Sequence, residues 1–256
     1  MKSRWAGKFR TYHDLVEATP VLTGYIEVEN PKGMIMGSAM TQHEKNAFAL
    51  LESNLNKESS NKVLEYGGST GVCWIGFNEK YDLDYHISET PYCCEYGRKL
   101  FPEISFYDHV PELDNVDIFY VRSSLQYAQD WKGVLTQVID NNHPSKIILD
   151  GTNISPKETY YTVQYAGVTI DSAQYVKLSS EDRVRISPSL ETLIPQSANL
   201  QSPPDDVRFS FHKVMSYCVI GGEELTSFLD GRGYKQIYQK SNNGIVPSTD
   251  YVYETI

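Results

Sequence analysis

Between residues 61 and 149 short apolar runs alternate with stretches of helical period. Val63-Leu64-Glu65-Tyr66 predicts a strand that runs straight into glycines, and residues 83–88 predict a second. Thr90-Pro91 supplies a cap and a first-turn residue for the helix that follows. Ile104-Ser105-Phe106 predicts a short third strand, residues 116–121 a mostly buried fourth and residues 146–149 a fifth. Before the fifth, Asp130 opens a helix in which Trp131, Val134, Leu135, Val138 and Ile139 share one face. That helix ends at Asn141-Asn142, ahead of Pro144. Strands separated by helix-length segments imply a parallel sheet with right-handed crossovers.

The flanks read differently. Residues 1–60 read as helical and irregular, an N-terminal helical cap. Thr41 and Glu44 form a capping box there, and Ala47, Phe48, Leu51 and Leu55 fall on one helical face. The main domain then spans 61–256, with an excursion at about 151–206 that is rich in Ser, Pro, Thr and Tyr and keeps no period. Order returns in a short helix carrying Leu225, Phe228 and Leu229, stopped by Gly231. Residues 234–238 and 250–254 read as strands that can pair through a turn at Asn242-Asn243-Gly244.

Composition narrows the partners. A net charge of -10 argues against broad contact with nucleic acid, which needs clustered cations, and against an anionic membrane surface. No apolar run reaches the ~18 residues of a membrane span, and Lys8, Arg10, His13 and Asp14 interrupt any signal-peptide core. Cys93 and Cys94 are adjacent and no C-x-x-C spacing occurs, so the expectation is a reduced, cytoplasmic protein without a metal site. The easier partner is a small or neutral molecule. Nothing in the sequence specifies an oligomeric state.

The chemistry gathers at the turn after the first strand. Gly67, Gly68 and Gly71 let backbone approach a ligand at the carboxyl edge of a sheet. A dinucleotide site needs G-x-G-x-x-G, and a P-loop needs Gly-Lys-Ser/Thr; this chain offers G-G-x-x-G with Glu65 ahead of it. An acid there suits an ammonium group better than a diphosphate. The bland alternative is a glycine turn beside a structural Glu. Glu89, at the end of the second strand, can accept from both hydroxyls of a ribose, or can simply favour the dipole of the helix at Pro91.

The stretches VLEYGGSTG, LDYHISETPYCCEYGRKLF, VDIFYVRSSLQYAQD, IILDGT followed by TVQ, and SFLDGRGY resemble the methyltransferases of bacterial polysaccharide and O-antigen gene clusters. The resemblance spans most of residues 61–240 outside the excursion. It implies a Rossmann-like class I methyltransferase fold, with a mostly parallel seven-stranded sheet, and S-adenosylmethionine as cofactor. By position it assigns Glu65, Gly67, Gly68 and Gly71 to the cofactor loop and Glu89 to the ribose. Ser123, Ser124 and Gln126 would lie beside the methionine portion or the methyl acceptor. Tyr107 and Asp108, with Phe106 and His109, lie near the expected adenine pocket. Two positions depart from the family: Ser69 replaces a common glycine, and Gly151 follows Asp150 where an arginine is expected.

Methyl transfer to a hydroxyl needs alignment and a base for the departing proton. Asp150 and His212 are the candidates, against a capping role for Asp150 and a surface role for His212. His86 reads as a core histidine. Tyr160, Tyr161 and Tyr165 can form a platform for a sugar, with Gln164 beside them, or can be core and contact residues. The leading expectation is an O-methyltransferase acting on a sugar or glycan precursor. The alternatives are a methyltransferase-fold binding module without catalysis and a methyltransferase for another small molecule.

Overall fold

The structure is a computed structural model that describes residues 5–18, 48–171, 208–242 and 248–256. The chain divides into two compact units, Met1–Pro31 with Tyr160–Tyr217 and Lys32–Thr159 with Cys218–Ile256.

The larger unit opens with a short helix α2 (Ala49–Glu52). It then runs through β2 (Asn61–Tyr66), α3 (Val72–Phe77), β3 (Leu83–Ser88), α4 (Pro91–Leu100) and β4 (Ser105–Tyr107). β5 (Ile118–Arg122), α5 (Trp131–Asn142), β6 (Lys146–Thr152) and β7 (Ile154–Ser155) follow. It closes with α6 (Gly222–Asp230), β10 (Tyr234–Asn242) and β11 (Ser248–Thr255). The sheet has seven strands in the order β10-β11-β6-β5-β2-β3-β4. β4, β3, β2, β5 and β6 are parallel, while β11 runs antiparallel to β6 and to β10. Winding reverses between β2 and β5, the switch point where open α/β sheets bind ligands beyond the strand carboxyl ends.

The expected mostly parallel seven-stranded sheet is present. Thr90 and Pro91 do start α4, but the Thr90 hydroxyl makes no capping hydrogen bond. Asp130 caps α5, its carboxylate accepting from the Gly133 amide at 2.9 Å. The last two strands pair in register from Tyr234↔Thr255 to Asn242↔Ser248. The turn at Asn243-Gly244 and the capping box at Thr41 and Glu44 lie outside the described residues.

Register explains how the site is built. Paired residues share a face of the sheet, and Glu65 stands level with Ile87, Tyr120 and, through them, Phe106, Ile148 and Val252. This row belongs to the main apolar cluster, which also holds Phe48, Leu51, Val63, Cys73, Phe77, Tyr85 and Cys94. Glu65 is the acid inside an otherwise apolar and aromatic row, with Tyr120 on one side and Ile87 on the other. Two residues further along the neighbouring strands, on the same face, stand Arg122 and Asp150, themselves register partners.

In the smaller unit, β1 (Trp5–Phe9) pairs antiparallel with β8 (Tyr160–Asp171), and α1 (Tyr12–Ala18) follows β1. β9 (Arg208–Gly221) lies next to β8, and its last residues, Ile220 and Gly221, pair with β7 in the larger unit's own residues. Two expectations change here. Residues 5–9 are a strand where the sequence read as helical and irregular, and the aperiodic excursion contains the long strand β8. Their stabilising partners lie some 150 residues apart in the chain, so local period carries no trace of the pairing. No described helix is long and apolar enough to cross a membrane.

Candidate functional site

The glycine turn sits at the carboxyl end of β2. Gly67 and Gly71 take left-handed φ of 74° and 95°, values that a side chain rarely tolerates. Ser69, which replaces a common glycine, also sits left-handed at φ 54°, and its amide donates to Glu89 Oε2 at 3.0 Å. Glu89 Oε1 accepts from the Thr90 amide at 2.8 Å, so this carboxylate ties the loop to the start of α4. Two oxygens with about four lone-pair sites leave it capacity for further donors.

Beneath the loop lies Glu65, only 4% exposed. Tyr85 donates its hydroxyl to Glu65 Oε2 at 2.9 Å. Gly68 must be glycine here, because a Cβ would meet that same oxygen at 2.5 Å. Burial pushes the Glu65 carboxyl up to about 7, partly offset by hydrogen bonds from Tyr85 and Cys73. Among the described residues no cation hydrogen-bonds to it, and Arg122 acts on it only at longer range. A half-ionised buried acid without a counter-charge is costly to keep.

The turn after β5 packs on the glycine loop. Ser124 Oγ donates to the Tyr66 carbonyl at 2.6 Å, and Ser123 takes a left-handed φ of 49° with its amide on the Asp150 carbonyl at 2.9 Å. Gly151, at φ 64°, fits where the resemblance expects arginine: a Cβ there would reach Ser123 Oγ at 2.7 Å. Gln126, in a 3-10 turn, is buried with its Oε1 unpartnered. At the end of β4, Tyr107 hydroxyl lies 3.3 Å from His86 Nδ1, and exposed Asp108 pairs with His109 Nδ1 at 2.8 Å. His86 is buried, and its Nε2 lies 3.0 Å from Asp84 Oδ1 without hydrogen-bond alignment.

Asp150 faces a cavity of about 640 Å³ between α2 and the β6–β11–β10 part of the sheet. Tyr120, fully buried, donates to Asp150 Oδ2 at 2.7 Å. Burial pushes the Asp150 carboxyl up to about 6, against the pull of Tyr120 and Arg122. Arg122 Nε stands 3.8 Å from Asp150 Oδ2, and its guanidinium lies over the Phe48 ring at 4.8 Å. Asp250 is engaged elsewhere, accepting from the Gly151 amide and from Asn242 Nδ2, each at 2.9 Å.

The structure thus gathers Glu65, Gly67, Gly68, Gly71, Glu89, Ser123, Ser124 and Asp150 along the carboxyl edge of adjacent strands. Tyr160 belongs to the other unit, where the Lys8 ammonium lies 4.6 Å from its ring centre. Gln164 and His212 fall on β8 and β9 at positions whose side chains lie outside the described residues. Sequence reasoning missed Tyr85, Tyr120, Arg122 and Phe48. The two-residue alternation of β5 puts Tyr120 and Arg122 on one face, but only the register with β2 and β6 brings them to Glu65 and Asp150.

No protein-family model matches the sequence, and no curated protein matches it. Among solved structures, the chain is similar to the glycopeptide N-methyltransferase MtfA complexed with sinefungin, at 13% identity and TM-score 0.50, covering 98% of this chain and 100% of that one. It is also similar to an S-adenosylmethionine-dependent methyltransferase from Clostridium acetobutylicum ATCC 824, at 9% identity and TM-score 0.49, covering 95% and 98%. The mitomycin 7-O-methyltransferase MmcR follows, at 11% identity and TM-score 0.46, over 84% of this chain and 54% of that one. Together with the strand order, the MtfA likeness establishes the fold as Rossmann-like class I methyltransferase.

Proposed function

We propose that this chain is an S-adenosylmethionine-dependent methyltransferase that acts on a hydroxyl of a sugar or glycan precursor. The observation that carries this reading is Glu65, a buried acid with no cation hydrogen-bonded to it among the described residues, beneath a left-handed glycine turn at the switch point. An ammonium supplies that charge, and a diphosphate would worsen the problem. Glu89, whose carboxylate keeps acceptor capacity at the neighbouring strand end, suits a ribose diol. The residues therefore fit the cofactor: Glu65 for the amino group, Glu89 for the ribose, the backbone of Gly67, Gly68 and Gly71 for close approach. Tyr107, Asp108, Ser123 and Ser124 complete our assignment of the pocket. The fold shared with a glycopeptide N-methyltransferase supports the transfer chemistry.

When bound, the cofactor supplies an electrophilic methyl group on sulfur, displaced in line. The chain's own part is to align and to take a proton. Asp150 is our choice of base: with a carboxyl near 6 it is mostly ionised at neutral pH yet basic enough to accept from a hydroxyl. Tyr120 holds the carboxylate in place from below. Gln126 Oε1, buried and unpartnered, is available to a donor on the acceptor or the methionine portion. His212, Gln164 and Tyr160 enter no step here.

Calorimetry with S-adenosylmethionine and S-adenosylhomocysteine tests the cofactor, and release of S-adenosylhomocysteine across a panel of nucleotide sugars and glycans tests the reaction. Binding of both, and release with a sugar hydroxyl, are expected. A folded protein that binds neither overturns the proposal.

A further inference from the structure

Arg122 carries a guanidinium that makes no hydrogen bond among the described residues. Its Nε is shut off from solvent and has no hydrogen-bond partner, and no hydrogen bond from either terminal nitrogen is found among the described residues. Buried orphan donors are rare because each forfeits its solvation without return. The side chain is nonetheless held: the Phe48 ring lies 4.8 Å away, and Asp150 is 3.8 Å away, too far for a hydrogen bond. It lines the cavity of about 640 Å³ that Asp150, Asn54, Ser53 and Lys240 also line. The other acid there, Asp250, is already occupied by Gly151 and Asn242.

We infer that this cleft binds an acceptor through an oxyanion, a carboxylate or phosphate, seated on Arg122. A planar guanidinium fixed by an aromatic face is a directional receptor for such groups, and a neutral hydroxyl offers it only weaker bonds without the bidentate, charge-assisted pairing. Lys240 adds a second positive charge in a chain whose net charge is -10.

The arrangement couples binding to basicity. Arg122 and Asp150 are register partners, and the guanidinium holds the Asp150 carboxyl down against burial. An oxyanion that neutralises Arg122 removes that pull, so Asp150 becomes a stronger base only when the acceptor is seated. Tyr120 and Asp250, the other titratable groups acting on Asp150, stay as they are. The inference rests on the methyl-transfer reading for the word acceptor, while the anion site is testable without cofactor.

The test is a titration of nitrogen-15-labelled protein with glucuronate, glucose 1-phosphate and glucose, following the Arg122 Nε–Hε resonance identified by its loss in Arg122→Gln. At least one anion is expected to move it and glucose is not; which anion responds separates carboxylate from phosphate. Arg122→Gln should weaken the responding anion by about ten-fold or more, with Arg122→Lys intermediate if the first variant folds poorly. With carbon-13 labelling added, the Asp150 carboxyl carbon should titrate at higher pH with the anion bound. Silence toward both anions, or an equal response to glucose, overturns the inference. Cofactor binding measured on the same sample tells that failure apart from failure of the methyltransferase reading.

Discussion

Glu65 and Asp150 stand on one face of one sheet, two strands apart, and burial raises the carboxyl of each. Their surroundings differ. Glu65 is sealed under Gly68, bonded by Tyr85 and with no cation hydrogen-bonded to it among the described residues, while Asp150 opens on a cavity, bonded by Tyr120 beside Arg122. On the proposed reading, the sealed acid holds an ammonium and the open acid, backed by a buried hydroxyl, exchanges a proton. The same elementary step, lifting a carboxyl out of water at a strand end, would then serve two tasks because the covering residues differ.

The comparison breaks most visibly at the open acid. On the proposed reading Asp150→Asn removes the base and keeps the shape, so turnover measured by S-adenosylhomocysteine release should fall about 10²–10⁴-fold with cofactor affinity unchanged. In the wild type, kcat/KM, which reports the free enzyme, should rise with pH through about 6 as Asp150 ionises.

The sealed acid speaks through stability. The folded Glu65 carboxyl, at about 7, lies above its ordinary 4.5, so the folded state binds the proton more tightly than the unfolded chain. The contribution is fully present below 4.5 and is lost as pH rises through about 7, with an upper size on the order of 3 kcal/mol. Urea unfolding of Glu65→Gln between pH 4.5 and 8 should show a flatter profile than the wild type.

Glu89 lies between the two behaviours, tying the loop while keeping acceptor capacity. Glu89→Ala should weaken S-adenosylmethionine and S-adenosylhomocysteine alike, by about ten-fold or more, in calorimetry. The smallest effect belongs to Ser69. Ser69→Gly relieves a left-handed φ and should shift stability by no more than about 1 kcal/mol in thermal unfolding, with cofactor affinity little changed.

Much of this was legible in the chain. Residues 83–88, the helix after Asp130 and the closing hairpin announce themselves by period and caps, because the forces that shape them are local. The glycine turn between Glu65 and Glu89 is equally readable, since positive φ and a nearby acid leave residue-type signatures. What escaped was long-range. β1 and β8 find each other across the chain, and Arg122 and Tyr120 acquire meaning only from the register that sets them beside Asp150 and Glu65. Alternation says which residues share a face of one strand; it does not say which strand comes next.

The most direct measurement is calorimetric titration of S-adenosylmethionine at pH 6.5 in two buffers of different ionisation enthalpy. If an ammonium settles on Glu65, binding must drive off the proton that burial keeps there. The account predicts binding with net proton release, and loss of most of that release in Glu65→Gln. Binding without proton release, or release that survives Glu65→Gln intact, would contradict it.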